Sequence, residues 1–148
     1  MGKVTQRQIV SEITPVNSPN HTKGPNFTRY FATVSGGEIS SSVEKVYDGN
    51  STFPDVLCAP SEIGDITVGM HYDPDKHTNK LNRIRQLVGA TYYDVTIFTL
   101  NCDLKDPGSE RVYAKALLVG LTEPDGDASS GSPSMFTLTF SPSTVGAA

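Results

Sequence analysis

The sequence contains no tryptophan and only two cysteines, Cys58 and Cys102, among 148 residues. A β-sandwich module that binds carbohydrate or peptide usually presents a row of aromatic side chains, often tryptophan, so the missing tryptophan weighs against that class. The two cysteines are far apart, and neither has the close Cys or His neighbour of a zinc site. We predict that both are reduced, half-buried side chains that form no disulfide.

Charge and long apolar runs are also scarce. The charged fraction is 19% and the net charge is -4. This charge argues against a protein that grips nucleic acid through its whole surface, because that task needs clustered Lys and Arg. A protein that only lets nucleic acid pass is not excluded. Met1–Glu12 lacks the apolar core of a signal peptide, and no apolar run approaches membrane-spanning length. We therefore expect a protein that is made in a cytoplasm and has no membrane anchor.

The abundant residues indicate β structure. The chain has 13 glycines and 10 prolines, and Ser and Thr replace much of the missing charge, as in β proteins with many turns. Its length suits one domain with a real core. We predict a proline-rich, extended N-terminal arm over residues 1–26 that docks on a neighbour, a β domain over residues 27–141 and a short C-terminal tail over residues 142–148. Within the arm, Gln6–Ile13 has the pattern of one strand.

Apolar and polar residues alternate at the start of the β domain. They predict a hairpin over Phe27–Val46 that turns at Gly36 and Gly37, where two glycines supply the positive φ of a tight turn. One face of the return strand is wholly polar, and such a face needs water beside it. Its residues are Glu38, Ser40, Ser42 and Glu44. The stretch Tyr47–Gly64 then predicts a long loop, which in a small domain is usually functional.

The second half of the domain has the clearer periodicity. Its apolar residues recur at strand spacing, then at helical spacing, then at strand spacing again. The predicted elements are a strand over Asp65–Tyr72, a helix with an apolar stripe of Leu81, Ile84, Leu87 and Val88 that ends at Gly89, a hairpin of Tyr92–Leu104 and Arg111–Thr122, and a last strand over Ser134–Ser141. The resulting fold class is mainly β, with one flanking α-helix and long hairpins.

One cluster has the residue types of a metal site or an active site. His71, Asp73, Asp75 and His77 bring two imidazoles and two carboxylates close together in sequence, but their spacing matches none of the usual ligand motifs. Pro74 divides the cluster at a junction between a strand and a helix. The favoured interpretation is a helix start whose acids face the positive end of the helix dipole. We predict no catalytic residues, no metal and no cofactor.

Several stretches resemble the tail tube proteins of long-tailed bacteriophages, the siphophages. They span about Phe27 to Phe140. The resemblance rests on Ser40-Ser41-Ser42-Val43-Glu44-Lys45-Val46-Tyr47-Asp48-Gly49, Gly64-Asp65-Ile66-Thr67-Val68, Tyr93-Asp94-Val95-Thr96 and the run from Ala116-Leu117-Leu118-Val119-Gly120-Leu121-Thr122 through Asp127-Ala128-Ser129-Ser130-Gly131-Ser132-Pro133 to Phe136-Thr137-Leu138-Thr139-Phe140.

The resemblance implies a β-sandwich or partial barrel and a structural function. In that family, six copies close into a ring, and their hairpins form one continuous barrel around a lumen. The rings stack into a tube, and the genome leaves through the lumen without specific binding. The implied partners are other copies of the chain and the tape-measure, tail-tip and tail-terminator proteins. The implied location is the virion tail, after assembly in the host cytoplasm.

The resemblance also assigns roles to two sets of residues. A lumen that lets DNA slide should avoid Lys and Arg, because phosphate contacts dominate nucleic-acid affinity. We therefore predict that the lumen is lined by Glu38, Ser40, Ser42 and Glu44. The long loop should contact the next ring, with its exposed apolar residues as anchors. These anchors are Phe53, Val56 and Leu57.

Three alternatives stay open at this point. The chain could be another β protein of a virion, such as a tail terminator or a head-decoration protein. It could be a β-sandwich binding module that is not viral. The third alternative is an enzyme built on the cluster from His71 to His77.

Overall fold

The computed structural model describes residues 3–16, 22–27, 30–41, 43–50, 52–57, 60–101, 107–124 and 126–146, with the side chains of residues 107–109 excepted. Strands dominate these ranges, and one α-helix interrupts them. In chain order the elements are β1 (Ile9–Pro15), β2 (Thr33–Gly36), β3 (Ile39–Ser41), β4 (Glu44–Val46), β5 (Asp55–Leu57), β6 (Ser61–Ile63), β7 (Ile66–His71), α1 (Pro74–Leu87), β8 (Tyr92–Leu100), β9 (Pro107–Thr122) and β10 (Met135–Ser141).

Six of the strands form one antiparallel sheet in the order β1-β8-β9-β10-β7-β2. The sheet curls until its two edge strands, β1 and β2, come together. The Phe31 N–H, just before β2, donates a hydrogen bond to the carbonyl of Ser11 in β1 at 2.7 Å. Closing a sheet in this way removes exposed edges that would otherwise pair with other chains. The partial barrel with one helix confirms the predicted fold class.

The core lies on the concave side of this sheet and follows the predicted alternation. In β7, β8 and β10 every second side chain is buried, as a sheet with one covered face requires. These buried residues include Ile66, Val68 and Met70 in β7, Tyr93, Val95 and Ile97 in β8, and Phe136, Leu138 and Phe140 in β10. The strands predicted over Asp65–Tyr72 and Ser134–Ser141 are confirmed to within a residue or two at their ends.

Helix α1 contributes to the same core through one face. Leu81 and Ile84 are almost fully buried, whereas Val88 is 39% exposed. The Asp73 side chain caps the helix by accepting a hydrogen bond from the Asp75 N–H at 3.1 Å, and Gly89 adopts a φ of 82° just after the helix ends. Both features match the sequence, since a short acidic residue satisfies the first free N–H groups and glycine tolerates the left-handed exit. Among the described residues, no helix is long and apolar enough to cross a membrane.

The first predicted hairpin is wrong in its pairing. Strand β2 does not turn back at Gly36 and Gly37 to pair with β3; it pairs with β7, in the register Thr33↔Gly69 to Gly36↔Ile66. The chain continues outward, and the residues of the predicted long loop supply the returning strands. Thus β3 pairs with β6 and β4 pairs with β5. We call this projecting segment, residues 38–64, the hairpin extension.

The described parts of the predicted N-terminal arm pack on their own chain. Strand β1 pairs with β8 along its whole length and buries Ile13 completely. Residues 22–27 contact the start of β8. There the Tyr93 hydroxyl donates a hydrogen bond to the Pro25 carbonyl at 2.7 Å. Phe27 then enters the core. Docking on a neighbour is not needed for β1, because β8 already supplies its backbone hydrogen-bond partners. The domain bounds 1–26, 27–141 and 142–148 stay a prediction.

The second hairpin and the end of the chain complete the barrel. Strands β8 and β9 pair as predicted, and the register runs from Tyr92↔Leu117 to Leu100↔Pro107. The predicted tail returns to the sheet near its end, because Val112 and Gly146 exchange two backbone hydrogen bonds of 2.8 and 2.9 Å. Cys58 and Cys102 lie outside the described residues.

Candidate assembly surface

The hairpin extension leaves the barrel at a root built around two glycines. Gly36 has a φ of 95° and Gly37 a φ of 75°, which glycine adopts at little cost. The root is also crowded: a Cβ on Gly36 would lie 1.9 Å from the carbonyl oxygen of Asp65. The Tyr113 hydroxyl donates a hydrogen bond to the Gly37 carbonyl at 3.2 Å from inside the barrel. The glycines that suggested a tight turn therefore lie where the chain leaves the barrel and enters the extension.

The first ladder of the extension joins β3 and β6. Its pairs are Ile39↔Ile63, Ser40↔Glu62 and Ser41↔Ser61, and the Gly64 N–H donates to the Glu38 carbonyl at 2.7 Å. Directly opposed residues of an antiparallel pair point to the same face. Glu38 and Ser40 therefore share a polar face with Glu62, which the sequence analysis did not select. Its opposition to Ser40 could have been found only by pairing the predicted loop with β3.

The second ladder of the extension joins β4 and β5 and has a different character. Its pairs are Glu44↔Leu57, Lys45↔Val56 and Val46↔Asp55. Glu44 therefore shares its face with Leu57 and Val46, not with a wholly polar row. The pairing register also changes by one residue between the two ladders. Ser42, the remaining predicted lumen residue, lies outside the described residues. The structure thus places Glu38 and Ser40 on one face and Glu44 in a separate ladder.

The predicted inter-ring anchors all lie at the outer end of the extension. Phe53 is 82% exposed, Val56 is 58% exposed and Leu57 is 47% exposed. Other large apolar side chains of the extension are also exposed: Ile39, Val43, Val46 and Tyr47. A two-stranded hairpin without a covering layer is marginally stable in water. Contiguous exposed apolar surface on a soluble protein usually marks an interaction site.

The cluster from His71 to His77 is organised as a helix start. Besides the cap provided by Asp73, the backbone N–H of Asp73 donates to Nδ1 of His77 at 3.0 Å. The His77 ring is 6% exposed and packs edge-on against Phe136, at a centroid distance of 5.1 Å. In the part of the chain that the structure describes, no group of three or more His, Cys, Asp or Glu residues could hold a metal ion. Structural contacts therefore account for the side chains of Asp73 and His77.

The outer face of α1 carries basic residues with local partners. Arg85 forms an ion pair with Glu123, in which Nη2 donates to Oε2 at 2.8 Å. This hydrogen bond lowers the pKa of Glu123 and raises the pKa of Arg85. Arg83 donates to the carbonyl of Lys23 at 3.2 Å, and the Lys80 ammonium lies 5.2 Å from the centre of the Phe27 ring. These contacts attach the helix to the rest of the fold.

Solved structures with the same fold include chains of an extracellular contractile injection system and of an anti-feeding prophage. A chain of the anti-feeding prophage (AFP) baseplate, 6-fold symmetrised, has a TM-score of 0.75 at 18% identity, covering 100% of this chain and 97% of that chain. A chain of the sheath/tube terminator of PVC, an extracellular contractile injection system, in its extended state, has a TM-score of 0.72 at 21% identity, covering 100% and 98%. A chain of the PVC sheath-tube complex has a TM-score of 0.71 at 21% identity, covering 99% and 91%.

Sequence comparisons add nothing to this likeness. No protein-family model matches the chain. No curated protein is similar to it in sequence. The structural likeness extends over essentially the whole chain, and at these identities it establishes the fold. The molecule has a tail tube-like fold, shared with chains of contractile injection systems, and this likeness does not single out siphophages.

Proposed function

We propose that this chain is the structural subunit of a tail tube in a phage or phage-like particle, and that it has no enzymatic function. Copies would form rings, with six per ring, and the rings would stack. The full-length likeness to chains of a sheath-tube complex and of a 6-fold symmetrised baseplate supports this proposal. Because the PVC structure is a sheath-tube complex of a contractile injection system, a contractile tail is favoured over the siphophage tail that the sequence resembles.

The observation that carries the proposal is the hairpin extension. A monomer exposes Ile39, Tyr47 and Phe53 on it by 62%, 64% and 82%. Burying apolar surface contributes about 25 cal/mol per Å², so leaving these side chains in water forgoes several kcal/mol. Packing the extensions of adjacent copies side by side would recover this free energy and would pair the open ladder edges.

The proposal assigns the polar face of the extension to the lumen. Glu38 and Ser40 would face the channel, joined by Glu62 across the β3–β6 ladder. Ser42 stays predicted for this face from the sequence, whereas Glu44 lies in the second ladder on the face of Leu57 and is not assigned to the channel. Neither β3 nor β6 contains Lys or Arg. Repetition around a ring would create rings of carboxylates that repel phosphate groups. DNA would therefore slide through during ejection without binding.

The proposal assigns the outer end of the extension to contacts between rings. Phe53, Val56 and Leu57, which are exposed in the single chain, would bury their surface on the next ring. The proposed partners besides other copies of the chain are the tape-measure, tail-tip and tail-terminator proteins. The assembled location would be the tail of the particle, after assembly of the subunit in a host cytoplasm.

A tube terminator is the second candidate, because a chain of a sheath/tube terminator structure is nearly as similar as a chain of the baseplate. Stacking separates the two candidates. A tube subunit offers complementary surfaces on both ends of its ring, so its rings stack into an open polymer. A terminator ring would bind the tube on one side only and would end the stack.

Sedimentation and negative-stain electron microscopy of the concentrated protein test the proposal. The matched variant replaces Ser41–Ser61 with Asn-Gly, a two-residue hairpin turn that retains the Ser40↔Glu62 pair and removes β4, β5 and the anchors. We expect tubes of constant width from the wild-type protein and folded monomers from the variant. Closed single rings would favour the terminator, and tubes from the variant would refute the role of the extension.

A further inference from the structure

A pocket of about 280 Å³ opens on the barrel at one end of the β2–β7 strand pair. Its wall combines aromatic and aliphatic surface with a few polar groups. The lining residues used below are Tyr30, Ala32, Met70, Tyr72 and Lys76. Tyr30 is 41% exposed and its ring packs against Phe98, so an aromatic face is already fixed at the pocket mouth.

The pocket and the hairpin extension lie at opposite ends of the same two strands. The pocket adjoins Ala32 and Met70, immediately before the Thr33↔Gly69 pair, whereas the extension begins beyond the Gly36↔Ile66 pair. At about 3.3 Å per residue, the segment from Gly37 to Tyr47 extends the chain by up to about 33 Å. One end of this strand pair therefore projects, and the other end is concave.

We propose that Phe53 at the tip of one copy's hairpin extension docks in the pocket between Tyr30 and Tyr72 of a second copy. This inference rests on the proposed function and names the receiving site for the contact between rings. The pocket is large enough, since an apolar cavity of about 150 Å³ holds a benzene ring. The exposed phenyl ring of Phe53 would be desolvated against aromatic surface, where edge-to-face and offset packing adds to the gain from burial.

The pocket wall carries a cation, Lys76, beside the carboxylate of Asp73, and this cation can meet an acidic residue next to the tip. Asp48 and Asp55 flank the tip, and Lys76 lines the pocket with its side chain 51% exposed. The Lys76 ammonium lies 3.9 Å from the Asp73 carboxylate, a weak exposed pair that a second carboxylate can share. A contact between two different surfaces placed end to end repeats without closing, so it generates an open stack.

Photo-crosslinking of assembled protein tests the proposal. Phe53 is replaced by benzoyl-phenylalanine, and ¹⁵N-labelled and unlabelled copies are mixed before assembly and irradiation. We expect crosslinks between differently labelled copies, located by mass spectrometry within residues 30–32 and 70–76. Tubes whose crosslinks map elsewhere would overturn the docking site and leave the proposed function intact. If the wild-type protein forms no tubes, the proposed function fails and this site fails with it.

Filling the pocket gives a second, independent test. Ala32→Trp places an indole in the pocket, and Ala128→Trp is its matched control in an exposed turn. We expect Ala32→Trp to raise the critical concentration for assembly by about tenfold or more, the effect of losing one buried aromatic anchor, while Ala128→Trp leaves it unchanged. Equal assembly of the two folded variants, with melting temperatures checked by circular dichroism, would contradict the proposal.

Discussion

The barrel and the hairpin extension are built from the same kind of strand but have opposite relations to water. In the barrel, β7, β8 and β10 bury every second side chain, and Ile66, Val95 and Phe136 are inaccessible to solvent. In the extension, all four strands are exposed on both faces apart from the half-buried Ile63. Alternation therefore specifies a fold only where another layer covers one face. We propose that the strand pairs of the extension, which lack that layer, are covered by another copy of the chain.

The comparison predicts that substitutions in the barrel affect folding and that substitutions in the extension affect assembly. Phe136→Ala should lower the free energy of unfolding by about 3–5 kcal/mol, because its ring packs against Phe31 and His77 in the core. Phe53→Ala should change the stability of the monomer by less than about 0.5 kcal/mol and should raise the critical concentration for assembly by about tenfold or more. Urea unfolding measures the first effect and sedimentation the second. Similar losses of stability in both variants would contradict the division into a barrel that determines folding and an extension that determines assembly.

The root of the extension should be the next most sensitive point. Gly36→Ala places a Cβ against the Asp65 carbonyl at a φ of 95°, whereas Gly126→Ala meets no atom within 4 Å. We expect Gly36→Ala to cost about 1–3 kcal/mol through backbone strain and to misdirect the extension, which reduces assembly. Gly126→Ala serves as the control and should be neutral in both assays. Normal tubes from Gly36→Ala would show that the direction of the extension is not fixed at this residue.

Tyr93 offers a smaller effect that depends on pH. Burial raises the pKa of its hydroxyl, which donates to the Pro25 carbonyl. The unfolded chain loses this proton near pH 10, while the folded chain keeps it. Stability is therefore unaffected below about pH 10 and falls as the pH rises further. Thermal unfolding should show a steeper alkaline decline for the wild-type protein than for Tyr93→Phe. Identical profiles would argue against this assignment.

The ion pair between Arg85 and Glu123 should have the smallest effect, because both side chains are about half exposed, at 49% and 47%. Since Arg85 lowers the pKa of Glu123, any stabilisation is present above the unfolded pKa of a glutamate, about 4.3, and is lost as the pH falls through the lower folded value. Arg85→Gln should shift the melting temperature only slightly at neutral pH, and 1 M salt should remove the difference, as the short Debye length, about 3 Å, requires. A large shift that persists in salt would mean that the pair holds the helix in place.

The sequence was sufficient for the elements that bury one face. The strand of Ile66, Val68 and Met70 and the helix stripe of Leu81 and Ile84 appear where the periodicity puts them, because burial enforces the period. The second hairpin was also predictable, since its two strands are adjacent in sequence and each is long.

Pairing partners were the part that the sequence did not specify. Gly36 and Gly37 have the local pattern of a hairpin turn, but the register of β2 is decided by its contact with β7, far along the chain. The loop residues Asp55–Leu57 and Ser61–Ile63 form strands only as partners of β4 and β3. Glu62 could not be assigned to the polar face of Glu38 before this pairing was known. Long-range pairings of this kind leave little local signal, because short exposed strands lack a buried face to fix the register.

The most direct test of the central claim is a cryo-EM map of the assembled wild-type protein. The account predicts stacked six-fold rings in which the hairpin extensions form a continuous barrel, with Glu38, Ser40 and Glu62 facing the lumen and Phe53 buried on the next ring. A map with Glu38 and Ser40 on the outer surface, or with Phe53 exposed to solvent in the tube, would contradict it.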